Sequence, residues 1–227
     1  MFLKKKKECH IGNIKLLDLN LVFHNFGNLS LRINKDLCTI KPSGVDLGKV
    51  KFNQYPLVFL NSKKSLGSLK PSVDTDFHLE IYRNFPNINS IVHTHSKYAT
   101  IWAQACLKIP IVGTTHADYW DSDIDITKTL RPREISRNYE LNIGRSIVSR
   151  LKKKFSHGIL IANHGAITFG KSVNEAIKYA ERLEFIAEIT YKTIMLKNKS
   201  KISHSLIKKH YLRKNGPNSY YGQSYKS

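Results

Sequence analysis

A single α/β domain with a mixed sheet covered by helices is the fold this sequence predicts, and three observations carry that prediction. Apolar runs of strand length alternate irregularly with longer runs of helical period, and several strand runs lie close together in the chain. The chain has 227 residues, enough for one domain with a sizeable core. Its composition, 41% hydrophobic and 24% charged, is that of an ordinary globular domain.

Residues 11–23 place Ile11, Ile14, Leu17, Leu21 and Val22 near helical spacing, which predicts an amphipathic first helix. Gly27-Asn28-Leu29-Ser30 turns into a strand carrying Leu31 and Ile33. Thr39-Ile40 is a short strand that runs into Lys41-Pro42-Ser43-Gly44. A strand over 57–60 precedes a polar loop over 61–70. Ser72-Val73-Asp74-Thr75 reads as a helix start with Asp74 as N-cap, and Phe77, Leu79, Ile81, Tyr82 and Phe85 give helix 75–85 its apolar surface. Ile91-Val92-His93-Thr94-His95-Ser96 reads as a strand end, followed by a helix over 97–107 and a short strand over 109–112. That strand empties into a polar cluster holding His116, Asp118 and Tyr119. A long helix over 138–155 ends in Lys152, Lys153 and Lys154, which sit at the favourable negative end of the helix dipole. Strands over 158–162 and 166–169 flank Asn163-His164-Gly165. Helix 173–196 buries Ala176, Ile177, Ala180, Leu183, Ile186, Ala187 and Ile189. A last helix over 203–214 stops at Gly216-Pro217 and leaves the tail Tyr220-Tyr221-Gly222-Gln223.

Lys+Arg outnumber Asp+Glu by 37 to 17, a formal net charge of +20. The lysines are scattered rather than gathered in a stripe, so the excess reads as solvated surface and not as a nucleic-acid site. Cys9, Cys38 and Cys106 are odd in number and lack CxxC spacing, which argues against a disulfide framework and fits a reducing cytoplasm. No stretch is long and apolar enough to be expected to span a membrane.

The chemistry gathers at strand ends. Alternate side chains of a strand share a face, so Ile91, His93 and His95 point one way and Val92 and Thr94 the other. With His164, that makes three histidines at strand ends. Catalytic zinc sites take three protein ligands and keep one position open. Asp74, Asp118 and Glu140 are the carboxylates available as a further ligand, as partners to ligands or for acid–base work. Asn28, Lys41, Ser43 and Ser72 are candidate phosphate contacts. A histidine-held metal beside a phosphate pocket points to Lewis-acid chemistry on a small phosphorylated substrate.

Gly27-Asn28-Leu29-Ser30, Lys41-Pro42-Ser43-Gly44-Val45-Asp46, Ser72-Val73-Asp74-Thr75, the His93/His95 strand, Gly113-Thr114-Thr115-His116-Ala117-Asp118-Tyr119 and Asn163-His164-Gly165 occur in that order. Together they resemble the class II aldolase family, and most closely its L-ribulose-5-phosphate 4-epimerase branch. The resemblance runs on to His210-Tyr211-Leu212-Arg213-Lys214 and the tyrosine tail. It implies one domain over residues 1–227, with a central mixed or antiparallel sheet and helices on both faces. It implies a cytoplasmic homotetramer with the active site between subunits, and a divalent metal, usually zinc with manganese as the other option, on His93, His95 and His164. By the same resemblance Asp74 lies next to the metal, and Asn28, Lys41, Ser43, Gly44 and Ser72 bind the substrate phosphate. Asp118 and Tyr221 match the acid–base pair, with Tyr221 arriving from a neighbouring subunit, while Glu140 and His210 match supporting positions. The implied reaction is epimerisation of L-ribulose 5-phosphate at C4 by cleavage and re-formation of the C3–C4 bond, a step of arabinose or ascorbate breakdown.

Three departures stand out. Val73 occupies a position where the family often has a second serine. The loop between Asn53 and Lys70 is shorter than usual, and residues 224–227, including Tyr225, extend past the usual end. The alternative within the family is an aldolase that releases its fragments, of the fuculose-phosphate type, in which a glutamate stands at the position of Asp74. The alternative outside it is a basic, non-catalytic binding protein on the same fold.

Overall fold

The structure is a computed structural model that describes residues 2–196 and 202–222. Helix α1 (Phe2–Asp18) leads into the sheet. It begins earlier and ends earlier than the apolar spacing predicts, and it buries a different face. Cys9, Gly12, Asn13 and Leu16 are buried, whereas Ile11 and Leu17 are exposed. The reason is close packing on small and amide side chains, which a count of apolar positions misses. A Cβ at Gly12 would lie 2.7 Å from Val173 Cγ1 and 2.9 Å from Leu29 Cδ1, and Asn13 Oδ1 accepts the Leu29 N–H at 2.8 Å. The helix stops at Asn20, which is left-handed (φ 54°). Its N–H bonds the Leu17 carbonyl, and the N–H of Leu21 bonds that of Leu16. Leu21 and Val22 are then buried from the turn rather than from the helix.

Strands β1 (Asn28–Arg32), β2 (Leu37–Ile40), β3 (Leu57–Phe59) and β4 (Ser65–Leu66) follow, with a 3-10 turn at Phe52–Gln54 between β2 and β3. Helix α2 (Thr75–Asn84), strand β5 (Ser90–Thr94) and helix α3 (Lys97–Gln104) carry the chain to a short α4 (Thr114–Ala117). After α5 (Pro132–Ser136) and α6 (Tyr139–Lys153), the hairpin β6 (Gly158–Ile161) and β7 (Gly165–Gly170) precedes α7 (Val173–Leu196) and α8 (His204–Lys214). The sheet order is β4-β3-β2-β1-β5-β7-β6. Every ladder is antiparallel, where a mixed sheet was one expectation, and the parallel pairing among the described residues is an isolated bridge from Ile126 to Leu160.

Some elements depart from the periodicity. Residues 109–112 make one bridge, Ile109 to Ile124, instead of a strand. The helix expected over 138–155 starts at Tyr139 after left-handed Asn138 (φ 57°), which separates it from α5. Asp74 stands at the N-cap position of α2 without capping it, because its carboxylate is engaged elsewhere.

The period-2 alternation of β5 divides the core. Ile91 joins Phe77, Ile81, Ile147 and Phe169 under α2 and α6. Val92 joins Leu16, Leu29, Val173 and Ile177 under α1 and α7. A third cluster, with Trp102, Trp120, Leu160 and Leu183, extends that second face under α3. Burying each such large side chain contributes about 1.5–3 kcal/mol. β5 is thus clamped from both faces and both edges, which makes its C-terminal end a rigid place to mount a site. Among the described residues, no helix is long and apolar enough to cross a membrane.

Candidate metal centre

His93 is the fourth residue of β5 and fully buried, and His95 lies just past the strand end. His164 comes from the turn between β6 and β7, which the β5–β7 register (Thr94 opposite Ala166) brings alongside. His93 Nε2 is 3.1 Å from His95 Nε2 and 3.2 Å from His164 Nε2, and the His93 and His164 rings stack 4.9 Å apart. Two glycines make room for this. A Cβ at Gly165 would lie 2.5 Å from the Thr94 carbonyl oxygen. At Gly27, where φ is +76°, it would lie 2.7 Å from that of His93. Left-handed Asn163 (φ 61°) turns the chain into His164.

The donor set fits a divalent cation. The Ala166 carbonyl can only accept, so at 3.0 Å from His93 Nδ1 it fixes the proton there and leaves the Nε2 lone pair facing the other two rings. The single lone pair of His93 Nε2 can accept a hydrogen bond from one of its two imidazole neighbours but not from both, so hydrogen bonding alone does not satisfy the cluster. The two spacings from His93 are close to the ligand–ligand edge of about 3.3 Å that a tetrahedral zinc site requires, and all three ligand atoms lie within 4.8 Å of one another. Burial and the charges of its two histidine neighbours hold His93 far below the ordinary histidine range. Burial also lowers His95 and His164, an effect that Asp74 opposes at both and Glu140 at His164. Burial thus favours the neutral imidazole, the ligating form, at all three.

Around the histidines the structure gathers most of the residues singled out in the sequence. Asn28 Nδ2 donates to Asp74 Oδ2 at 2.6 Å and to Ser72 Oγ at 3.2 Å, while Asn28 Oδ1 is buried without a partner. Lys41 is buried, its Nζ donating to the Asn25 carbonyl at 2.9 Å. Burial lowers its pKa, and the nearby Asp74 charge works against that. The Ser72 N–H bonds the Lys41 carbonyl, which joins the two candidate phosphate segments. Ser43 and Gly44 are exposed beside them, Gly44 left-handed (φ +64°) with open space around it. Val73 is 69% exposed.

Asp118 sits in a second cluster. Its carboxylate accepts from His210 Nδ1 (3.0 Å), Arg213 Nε and Nη2 (3.0 and 2.8 Å) and Lys214 Nζ (3.0 Å). Burial raises its pKa, but the bonds from Arg213, Lys214 and His210 outweigh this and bring it to about 2. Tyr221 joins the same cluster in the same chain. Its N–H bonds the Arg213 carbonyl, and its ring lies 4.2 Å from Lys214 Nζ. Within one chain Asp118 and Tyr221 thus share Arg213 and Lys214, because α8 ends where the tail folds back on its last turn; the expected meeting of Tyr221 with an Asp118 of another subunit concerns contacts between chains. Gln223 and the 224–227 extension lie outside the described residues.

Sequence reasoning missed four aromatic neighbours of the histidines. Phe77 meets His93 edge-on at 5.4 Å, Phe26 lies 5.7 Å from His95, and Tyr139 lies 6.5 Å from His164. His78 stacks on Phe77 and bonds Ser30 Oγ through Nδ1 at 2.7 Å, with its Nε2 unpartnered. No motif marked them, because each is a single residue whose neighbours come from another segment.

Residues 12–191 match the model of the class II aldolase and adducin N-terminal domain. The chain belongs to that family. Class II aldolases use a divalent metal, typically zinc, in keeping with the three-histidine cluster. Among solved structures, an L-fuculose 1-phosphate aldolase is 22% identical with a TM-score of 0.78, over 91% of this chain and 94% of that one. YgbL of Klebsiella pneumoniae, provisionally assigned as an aldolase, epimerase or decarboxylase, is 23% identical with a TM-score of 0.75, over 92% of this chain and 99% of that one. A sugar-phosphate aldolase of Thermotoga maritima is 20% identical with a TM-score of 0.68, over 88% and 98%. These likenesses show the class II aldolase fold.

Proposed function

We propose that this family member epimerises L-ribulose 5-phosphate at C4 to give D-xylulose 5-phosphate. The observation that carries the reading is the Asp118–Tyr221 cluster, because a carboxylate and a phenol tied together through Arg213 and Lys214 supply two proton-exchanging groups of different acidity. The C4 hydrogen has no adjacent carbonyl, so it is not acidic enough to leave and return. Cleavage avoids the difficulty. A base takes the C4 hydroxyl proton, the C3–C4 electron pair passes to the ketose carbonyl, and a three-carbon enediolate and glycolaldehyde phosphate result. The aldehyde turns over, the C3–C4 bond re-forms on its other face, and the opposite group returns the proton.

A divalent metal held by His93, His95 and His164, with Asp74 beside them, would supply Lewis acidity toward the ketose oxygens; zinc is the first choice and manganese the second. Asn28, Lys41, Ser43, Gly44 and Ser72 bind the phosphate, with Lys41 exchanging its Asn25 carbonyl partner for the anion. Asp118 takes up a proton only when Arg213 and Lys214 release it, since in their grip it is a weak base. Glu140 supports His164, and His210 orients Asp118.

We place the active site between subunits of a cytoplasmic homotetramer, the histidines from one chain facing the Asp118–Tyr221 cluster of another. Asp118 is engaged by His210, Arg213 and Lys214 of its own α8 region and makes no hydrogen bond to His93, His95 or His164 of its own chain, which is consistent with this arrangement. A second reading, cleavage with release of the fragments, is favoured by the likeness to the L-fuculose 1-phosphate aldolase. Purified, metal-loaded protein incubated with L-ribulose 5-phosphate separates the two. Formation of D-xylulose 5-phosphate with little free glycolaldehyde phosphate supports the epimerase, cleavage outrunning epimerisation supports the aldolase, and neither reaction sinks both.

A further inference from the structure

The segment from Asn25 to Asn28 is held on three sides. The Asn25 carbonyl accepts from Lys41 Nζ at 2.9 Å, Gly27 lies so close to the His93 carbonyl that a Cβ would sit 2.7 Å from it, and the Asn28 amide bonds Asp74 and Ser72. The Phe26 N–H closes a turn onto the Phe23 carbonyl at 3.0 Å, which fixes the backbone of the remaining residue. Phe26 itself has no place in the core. Its ring is 59% exposed, tilted at 48° and 5.7 Å from the ring of His95. Folding explains why the segment is rigid but not why its one free side chain is a large aromatic held in water beside three histidines. Phe77, edge-on to His93, is fully buried, and Tyr139 lies 6.5 Å from His164 on another side; the groups joined to the segment itself, Lys41, Ser72 and Asp74, are polar.

We propose that Phe26 is a specificity-determining residue, its ring forming the apolar wall of the site and packing against the carbon chain of the bound sugar phosphate. The inference rests on the sugar-phosphate reading of the three-histidine site. A polar pocket can hold the phosphate and the oxygens, but the C–H face of a two- or three-carbon fragment finds a partner only in an apolar surface. In a cleavage and re-addition sequence, that surface keeps the aldehyde fragment beside its acceptor while it turns over. Fragment retention is what separates an epimerase from an aldolase, and Phe26 is placed to govern it.

The test uses the full-length, metal-loaded protein and two probes, inorganic phosphate and phosphoglycolohydroxamate, a non-reacting two-carbon phosphate, each titrated by calorimetry. Phe26→Ala is expected to weaken the hydroxamate by about tenfold. Inorganic phosphate affinity and metal content should be unchanged, and Phe26→Trp should restore the hydroxamate. With L-ribulose 5-phosphate, the alanine variant is expected to leak several times more free glycolaldehyde phosphate per epimerisation than the parent. Equal hydroxamate binding by parent and Phe26→Ala overturns the inference. So does parallel loss of phosphate, hydroxamate and metal, which would make Phe26 a brace for the loop. A parent that binds neither probe removes the sugar-phosphate reading itself, and this inference with it. A parent that binds both but only cleaves its substrate removes the epimerase reading, while the hydroxamate comparison still decides the role of Phe26.

Discussion

Arg213 lays its guanidinium along the carboxylate of Asp118, Nε to Oδ1 at 3.0 Å and Nη2 to Oδ2 at 2.8 Å. Helix α8 has no buried residue, so this pair, with His210, Lys214 and the Asn215 amide on the Asp118 carbonyl, is a principal attachment of the helix to the domain. Removing the charge while keeping the shape should free the helix. Asp118→Asn is expected to speed amide hydrogen exchange across residues 204–215 by about tenfold, in line with losing a charge-assisted bidentate pair. Exchange in α2 and α6 should not change. Unchanged protection of α8 would show that it is held by something else.

The same pair sets a pH dependence. The folded state holds the Asp118 carboxyl at about 2, below its ordinary value of 3.8. A depressed pKa contributes stability that is present above the ordinary value and is lost as pH falls through the folded one. Protection of α8, corrected for intrinsic exchange, is therefore expected to be full at pH 5 and to decline between about pH 4 and pH 2. In Asp118→Asn that decline should be absent. A parent and variant that lose α8 in parallel would contradict the assignment.

How much of this the sequence disclosed depends on whether the information was local. The helix 173–196 was legible to its end residues because a long 3.6-residue period fixes its existence and most of its buried face; near its end Thr190 is buried and Ile189, expected inside, is only half-buried. The alternation of Ile91, Val92 and His93 was legible for the same reason. α1 was misread because it packs through Gly12 and Asn13, residues that hydropathy does not count. Asp74 had the right position for a cap and a different task, since Asn28, far away in sequence, draws its carboxylate aside. The three histidines were found from spacing and resemblance. The Asp118–Arg213–Tyr221 cluster was found only in part, because its members are single residues joined by tertiary contact.

Gly165 is where backbone packing and the metal centre meet. A methyl group there would press on the Thr94 carbonyl at 2.5 Å, between the two strands that present His93 and His164. Gly165→Ala is expected to lower metal affinity by about 10–100-fold, the range seen when ligand orientation is disturbed. His93→Asn should abolish tight binding outright, since one of three nitrogen ligands is lost. Titration of apo protein with cobalt, followed by its visible spectrum, reads both. Wild-type affinity in either variant would contradict the three-histidine site.

Asp74 offers a way to shift the balance between the two reactions. Its carboxylate reaches Asn28 at 2.6 Å and acts electrostatically on His95 and His164. The resemblance read from the sequence implies that fuculose-phosphate aldolases carry glutamate, one methylene longer, at this position. Asp74→Glu is expected to raise free glycolaldehyde phosphate relative to xylulose 5-phosphate. A lower total rate with an unchanged product ratio would remove Asp74 from the choice between outcomes.

The proposed site, with its histidines from one chain and the Asp118–Tyr221 cluster from another, determines which defective proteins would repair each other. Asp118→Asn and Tyr221→Phe damage the same cluster, so in a shared-site oligomer every site built from either chain lacks one group. Coexpressing these two should restore nothing. His93→Asn and Asp118→Asn damage opposite halves. When they are coexpressed, a site that takes its histidines from the Asp118 variant and its acid–base cluster from the His93 variant is complete. With random assembly in a symmetric oligomer, roughly a quarter of sites are of this kind. Activity should recover to about that fraction of the parent, well above either variant alone. Mixed oligomers shown by native mass spectrometry to contain both chains, yet inactive, would place histidines and cluster in a single subunit. Recovery in the Asp118 and Tyr221 mixture would instead separate those two residues between chains and undo the cluster as the working unit.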